Sequence, residues 1–171
     1  CEFGVPEILE DKIGKVRNVM SEYGDGEKPM VFTEFGWTTY SGGEYSNPIS
    51  EDMQRDYISR AYLLSAANNI YEMYVYNAQD SGVYNGCGEH HFGLFDWYGN
   101  AKKSYYGFYN LANVLKDCRY VEKLGNTKYP EYGYVFYDGS RYITAVWNAK
   151  RESKNIGINV GNDTAVKTIS A

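Results

Sequence analysis

The chain has 171 residues, of which 43% are hydrophobic and 17% aromatic, and its formal net charge is −5. This is enough for one domain, or a domain and part of another, with a real core. The acidic balance argues against a nucleic-acid partner, and no apolar run is long enough to span a bilayer.

Residues 7–23 put Ile8, Leu9, Ile13, Val16, Val19 and Met20 at helical spacing, and Gly24 with Asp25-Gly26 closes that helix. A strand follows over 29–34. Its Met30-Val31-Phe32 run is continuous and apolar, as in a strand buried on both faces. Glu34 comes at once, and Gly36 then breaks the pattern. A carboxylate where a buried strand emerges is costly unless it is paired or used. In a barrel of alternating strands and helices, catalytic residues sit at the C-terminal strand ends. Glu34 is therefore the first catalytic candidate, with a strand-end salt bridge as the plain alternative.

Residues 38–48 read as a loop rich in Thr, Ser, Gly and Asn. Ser50 predicts an N-cap, Asp52 and Met53 start the next helix, and Tyr57, Ala61, Leu64 and Ala67 keep one face. Asn68-Asn69 closes it. Residues 70–76 read as a second strand, 77–100 as a long glycine-punctuated loop, and 101–116 as a third helix with Tyr105, Phe108, Leu111 and Leu115 inward. Such alternation predicts an α/β fold, a parallel sheet with helices outside.

The pattern changes after Lys116. Residues 132–138, 141–148, 155–160 and 164–169 are short alternating runs, and Asp138-Gly139 between the first two is a hairpin signal. They predict an antiparallel β module, part of a sandwich. The expected division is 1–117 and 118–171.

Cys1, Cys87 and Cys118 have no metal-type spacing. Cys87-Gly88-Glu89-His90-His91 lacks a second ligand set, whereas structural zinc wants four ligands at set spacings. No metal is expected, and His90 and His91 are read as substrate contacts at a cleft. The 19 tyrosines suit either stacking on sugar rings or partly exposed packing.

Thr33-Glu34-Phe35-Gly36-Trp37 resembles the nucleophile motif of clan A retaining glycoside hydrolases, in which it closes the seventh strand of a (β/α)8 barrel. Gly93-Leu94-Phe95-Asp96, with Gly99, Lys102 and Tyr105 after it, is similar to the segment that leads from the eighth strand into the last barrel helix. The resemblance implies the C-terminal portion of a (β/α)8 TIM barrel followed by an antiparallel β module. A barrel needs about 250 residues, so the N-terminal half of the barrel is expected outside this chain. The chain opens on Cys1, which leaves open whether a signal peptide precedes it.

The activity implied is hydrolysis of O-glycosyl bonds by retaining double displacement, with Glu34 as nucleophile. The clan's acid/base is usually the Glu of an Asn-Glu pair. None occurs here, so that residue is expected upstream of Cys1, and Glu44 and Glu89 are read as solvated. Trp37 either stacks on a sugar or covers the barrel. Tyr76 stands where many members carry a Trp, which leaves the substrate subclass open. Asn77, Gln79 and Asp80 either bond sugar hydroxyls or cap the loop. The resemblance implies an oligo- or polysaccharide substrate, no cofactor, and an extracellular or cell-surface location. Two other readings stand beside it: a non-catalytic carbohydrate-binding barrel, and a structural or adhesive domain whose tyrosines serve protein contacts.

Overall fold

The computed structural model describes residues 4–40, 49–125, 127–150, 152–153 and 155–158. In chain order it forms helix α1 (Ile8–Glu22), strand β1 (Met30–Phe35), helix α2 (Glu51–Ala67), strand β2 (Ile70–Val75) and helix α3 (Lys103–Leu115). Strands β3 (Arg119–Lys123), β4 (Glu131–Tyr137) and β5 (Tyr142–Asn148) follow. A short 3-10 helix, Gly88–His91, interrupts the long loop after β2.

Local chemistry explains the boundaries. The Ser50 hydroxyl accepts from the Met53 amide at 3.2 Å, so α2 starts on the cap that the sequence predicts. At the other end the Asn68 side chain donates to the Leu64 carbonyl, and Asn69 turns the chain into β2 at φ 55.

β1 and β2 pair in parallel from Met30 opposite Ile70 to Phe35 opposite Val75, with an irregular register between Phe32 and Phe35. β3, β4 and β5 form a separate antiparallel sheet in that order. The hairpin joining β4 to β5 turns at Asp138, whose carboxylate accepts from the Ser140 and Arg141 amides at 2.9 Å.

One apolar cluster gathers Trp37, Tyr57, Ile58, Ala61 and Leu94, so α2 lies under the strand ends and against α3. A second joins Leu63 and Leu64 of α2 and Leu115 of α3 to Tyr132, Tyr134 and Phe136 of β4. The antiparallel sheet therefore packs directly on the two helices. Polar contacts reinforce it: the Trp147 indole donates to Glu7, and the Tyr134 hydroxyl donates to Glu10.

Three expectations change. β1 is not buried on both faces; Met30 is buried, whereas Val31, Thr33 and Glu34 are exposed, because among the described residues the parallel sheet has two strands. β3 is an extra strand, exposed throughout, so Arg119-Tyr120-Val121-Glu122-Lys123 lacks the buried alternation that marks β4. Residues 155–158 form no strand, and the run 164–169 lies outside the described residues.

Candidate functional site

The C-terminal ends of β1 and β2 are joined at their backbones. The Tyr76 amide donates to the Phe35 carbonyl at 2.7 Å. Gly36 then passes so close to Tyr76 that a Cβ on it would lie 2.0 Å from the Tyr76 carbonyl oxygen. Only glycine permits that approach, which gives the Gly36 of the sequence motif a physical reason. The Tyr76–Asn77 peptide is cis.

Glu34 is exposed at this end of β1, and among the described residues its carboxylate takes part in no hydrogen bond or ion pair. It is near Tyr76 all the same. The Tyr76 phenol is held above its ordinary value of 10.0, chiefly by burial, then by the charge and hydrogen bond of Glu89, and also by the charge of Glu34. The Tyr76 hydroxyl donates to Glu89 Oε2 at 3.2 Å, and its ring meets Phe92 edge-on at 5.4 Å.

The loops around these groups are fixed by buried polar junctions. Thr38 Oγ1 donates to the Gly88 carbonyl at 2.7 Å, and the Thr39 amide donates to the His91 carbonyl at 3.1 Å. Gln54 of α2 is fully buried; its amide donates to the Trp37 carbonyl at 2.8 Å and accepts from Ser104 Oγ of α3 at 2.8 Å. Lys102 Nζ donates to Asp80 Oδ1 at 2.7 Å and to the His91 carbonyl at 3.3 Å. Asp80 Oδ1 also accepts from the Gly93 amide at 2.7 Å. These junctions pair the buried polar groups of Thr38, Gln54, Asp80, Lys102 and Ser104, whereas among the described residues Asn77 Oδ1 is buried without a hydrogen-bond partner.

The residues expected at the cleft divide accordingly. Glu34 and Tyr76 come together at the strand ends. Asn77 follows directly, half-buried, with its carbonyl accepting from the Leu94 amide at 3.1 Å. Trp37 is a packing residue: it is 8% exposed, edge-on to Phe35 and Tyr57, and its indole donates to the Gly4 carbonyl at 2.9 Å. Among the described residues its ring is buried in the apolar cluster. Asp80 is likewise committed to Lys102 and Gly93, so it caps the loop. Gln79 donates to the Trp97 carbonyl at 3.0 Å.

His90 and His91 bind their own loop. His90 Nδ1 accepts from the Tyr84 amide at 3.3 Å, and His91 Nε2 lies 3.3 Å from the Tyr84 carbonyl. The His91 ring also stacks on Tyr40, with centroids 5.9 Å apart and planes at 12°. Among the described residues, no group of His, Cys, Asp and Glu side chains converges to hold a metal.

Sequence reasoning missed two contributors. Glu89 is no merely solvated carboxylate, since it holds Tyr76. Gln54 was legible in principle: it shares the helical face of Tyr57, Ile58 and Ala61, and a polar residue on an apolar stripe demands internal partners.

No protein-family model matches the chain, and no curated protein does. Among solved structures, a family 39 glycoside hydrolase from the gut symbiont Bacteroides cellulosilyticus WH2 superposes with a TM-score of 0.66 at 22% identity. That match covers 80% of this chain and 27% of the other, so the chain spans about a quarter of that enzyme's length. β-Glucuronidases from Bifidobacterium dentium and Faecalibacterium prausnitzii match at TM-scores of 0.43, with 21% and 18% identity. Those two cover 61% of this chain and 18% and 19% of their own, too loose a superposition to bear on the fold. The likeness to the family 39 enzyme concerns the fold: the mixed α/β arrangement is one found in a glycoside hydrolase.

Proposed function

We propose that the chain is the C-terminal portion of the (β/α)8 barrel of a retaining glycoside hydrolase, with Glu34 as its nucleophile. The observation that carries this reading is the setting of Glu34. It is an exposed carboxylate without an internal partner, at the C-terminal end of a strand in a parallel pair, beside the Tyr76 phenol. A carboxylate kept for structure would be paired, as Asp80 is. The fold of the family 39 enzyme is consistent with this assignment.

The chemistry follows from two carboxyl groups about 5–5.5 Å apart. The Glu34 carboxylate donates an electron pair to the anomeric carbon as the bond to the leaving oxygen breaks. A carboxylic acid outside this chain gives that oxygen its proton. The same group then takes a proton from water, whose oxygen displaces Glu34 and restores the original anomeric configuration. Tyr76 and Asn77 line the approach. The substrate is an oligo- or polysaccharide, which accords with an extracellular or cell-surface location.

The test uses the intact protein that contains this chain. A 2-fluoro glycoside with a good leaving group should trap a covalent ester on Glu34, read by peptide mass spectrometry. Glu34→Gln should lose turnover while the circular dichroism spectrum stays unchanged. Labelling of another carboxylate, or full activity in the variant, overturns the assignment. Sugar binding without turnover or labelling would favour the non-catalytic carbohydrate-binding alternative.

A further inference from the structure

Of the chain's three tryptophans, two have the indole N–H bonded inside the fold: Trp37 to the Gly4 carbonyl and Trp147 to Glu7. The third, Trp97, is 49% exposed, and Tyr98 beside it is 78% exposed. Neither belongs to an apolar cluster. Among the described residues neither ring meets another aromatic ring, and neither the Trp97 N–H nor the Tyr98 hydroxyl makes a hydrogen bond.

The backbone beneath them is tightly held. Asp96 Oδ1 accepts from the Tyr98 amide at 2.9 Å and from the Asn100 amide at 2.8 Å, and Asp96 Oδ2 accepts from the Asn100 side chain at 2.8 Å. The Asp96 amide donates to the Asn100 carbonyl at 2.8 Å, and Gly99 takes the left-handed conformation at φ 85. Isolated exposed aromatics are ordinary on a protein surface. Two in succession on a turn fixed in this way are presented to solvent in a set arrangement, so little order is lost when a ligand docks on them.

The turn is anchored to the loop that leaves β2. Gln79 and Phe95 form a parallel bridge, the Leu94 amide donates to the Asn77 carbonyl at 3.1 Å, and Gln79 Nε2 donates to the Trp97 carbonyl at 3.0 Å. That loop starts at Tyr76, whose amide is bonded to the carbonyl of Phe35, the residue after Glu34. From Tyr76 to Gln79 the chain reaches about 10 Å at most, a span that a short oligosaccharide bridges.

A sugar ring needs a flat apolar surface for its C–H face and donors for its hydroxyls, and a Trp-Tyr pair with a free N–H and a free O–H supplies both. The turn carries no free charge. The Asp96 carboxylate is taken up by the turn itself, and the cations next in the chain are engaged, Lys102 with Asp80 and Lys103 with Asp52. We propose that Trp97 and Tyr98 form a subsite for an uncharged pyranose unit of the substrate, away from the bond that is cleaved. The inference rests on the glycoside hydrolase reading for the nature of the ligand, and it narrows the substrate to neutral chains over those built of uronic acids.

The experiment uses the intact protein that contains this chain, carrying Glu34→Gln so that bound sugar is not consumed. Long oligosaccharides of β-glucan, β-mannan and xylan are titrated by calorimetry, with oligogalacturonate as the charged comparison. A neutral oligosaccharide should bind. Trp97→Ala and Tyr98→Ala should each weaken that binding about tenfold, and Trp97→Phe, which keeps a flat face, should weaken it less. Acrylamide quenching, with Trp97→Phe identifying the signal, should find Trp97 open in the free protein and shielded once sugar is bound. Four results overturn the proposal: Trp97 already shielded in the free protein, unchanged affinity in both alanine variants, tighter binding of oligogalacturonate, or binding of none of the sugars. The two readings fail separately. Glycoside turnover by the protein with Glu34 intact, together with unchanged binding in Trp97→Ala, removes the subsite and leaves the nucleophile. Binding that weakens as expected, in a protein that turns over no glycoside, removes the nucleophile and leaves the aromatic subsite.

Discussion

Only 5% of the Lys102 side chain is exposed, and burying an ammonium is costly unless its hydrogens are met. Asp80 Oδ1 and the His91 carbonyl meet them, and the lysine thereby links α3 to the loop that follows β2. Breaking such a pair on one side leaves a buried charge uncompensated. Lys102→Met should therefore cost about 3–5 kcal/mol in urea unfolding of the intact protein, and Lys102→Met/Asp80→Leu should recover much of it. Equal losses in both would show that packing, and not charge, is what the pair supplies. Tyr134 gives a pH signature. Burial first, and then the hydrogen bond to Glu10, hold its phenol well above the ordinary 10.0. The native state thus keeps a proton that the unfolded chain releases above pH 10. This contribution is fully present below about pH 10 and is lost as pH rises further. Tyr134→Phe should flatten the alkaline decline in melting temperature beyond pH 10 relative to the parent; an unchanged slope would contradict the assignment.

The loop 77–100 is longer than the 12–15 residues that compact domains usually leave without secondary structure, and its order comes from internal polar bonds. His90 and His91 both close on Tyr84, and His91 also stacks on Tyr40. His91→Ala removes a ring contact and a polar contact together. Amide exchange over residues 82–91 should quicken by about tenfold or more, and KM should rise while α2 stays protected. An unaltered exchange pattern would show that the turn stands without the ring. The elements themselves were largely legible: periodicity placed all three long helices, Ser50 and Asn68-Asn69 marked the ends of α2, and Asp138-Gly139 marked the hairpin. What sequence could not supply was side-chain partnership across long separations. Asp80 and the histidines have the residue types of a sugar site, yet their bonds run to Lys102 and Tyr84, and nothing local to them signals that. Trp37 follows a motif and reads equally as a sugar platform or as cover, and only the fold shows that Phe35 and Tyr57 meet it edge-on in the core. Glu89 sits in a glycine-rich stretch, where only the fold brings Tyr76 to it.

The division expected at residue 117 runs through a shared core. Leu64 of α2 is fully buried, and Leu115, Tyr134 and Phe136 belong to the same cluster from both sides of that boundary. Removing residues 118–171 would therefore uncover α2 and α3, at an expected cost in melting temperature more than in chemistry. The opposite flanks of the fold are already uncovered. On α1, Val16 and Val19 are about half exposed, at 49% and 54%, and on β2 Tyr71 is 71% exposed. These are the positions where a closed barrel would place further helices and strands. An open edge of a parallel pair is also a template for unwanted strand addition. The isolated 171-residue chain should accordingly self-associate in light scattering and turn over no aryl glycoside, β-glucan, β-mannan or xylan. Its lack of turnover has a separate cause from its self-association: the proposed general acid is not among its residues, and such a group typically contributes about 10²–10⁴-fold. A second polypeptide carrying the remaining strands should restore both solubility and turnover on mixing. Robust hydrolysis by a monodisperse 171-residue monomer would overturn the placing of the acid outside the chain and the reading of these faces as covered in the complete barrel.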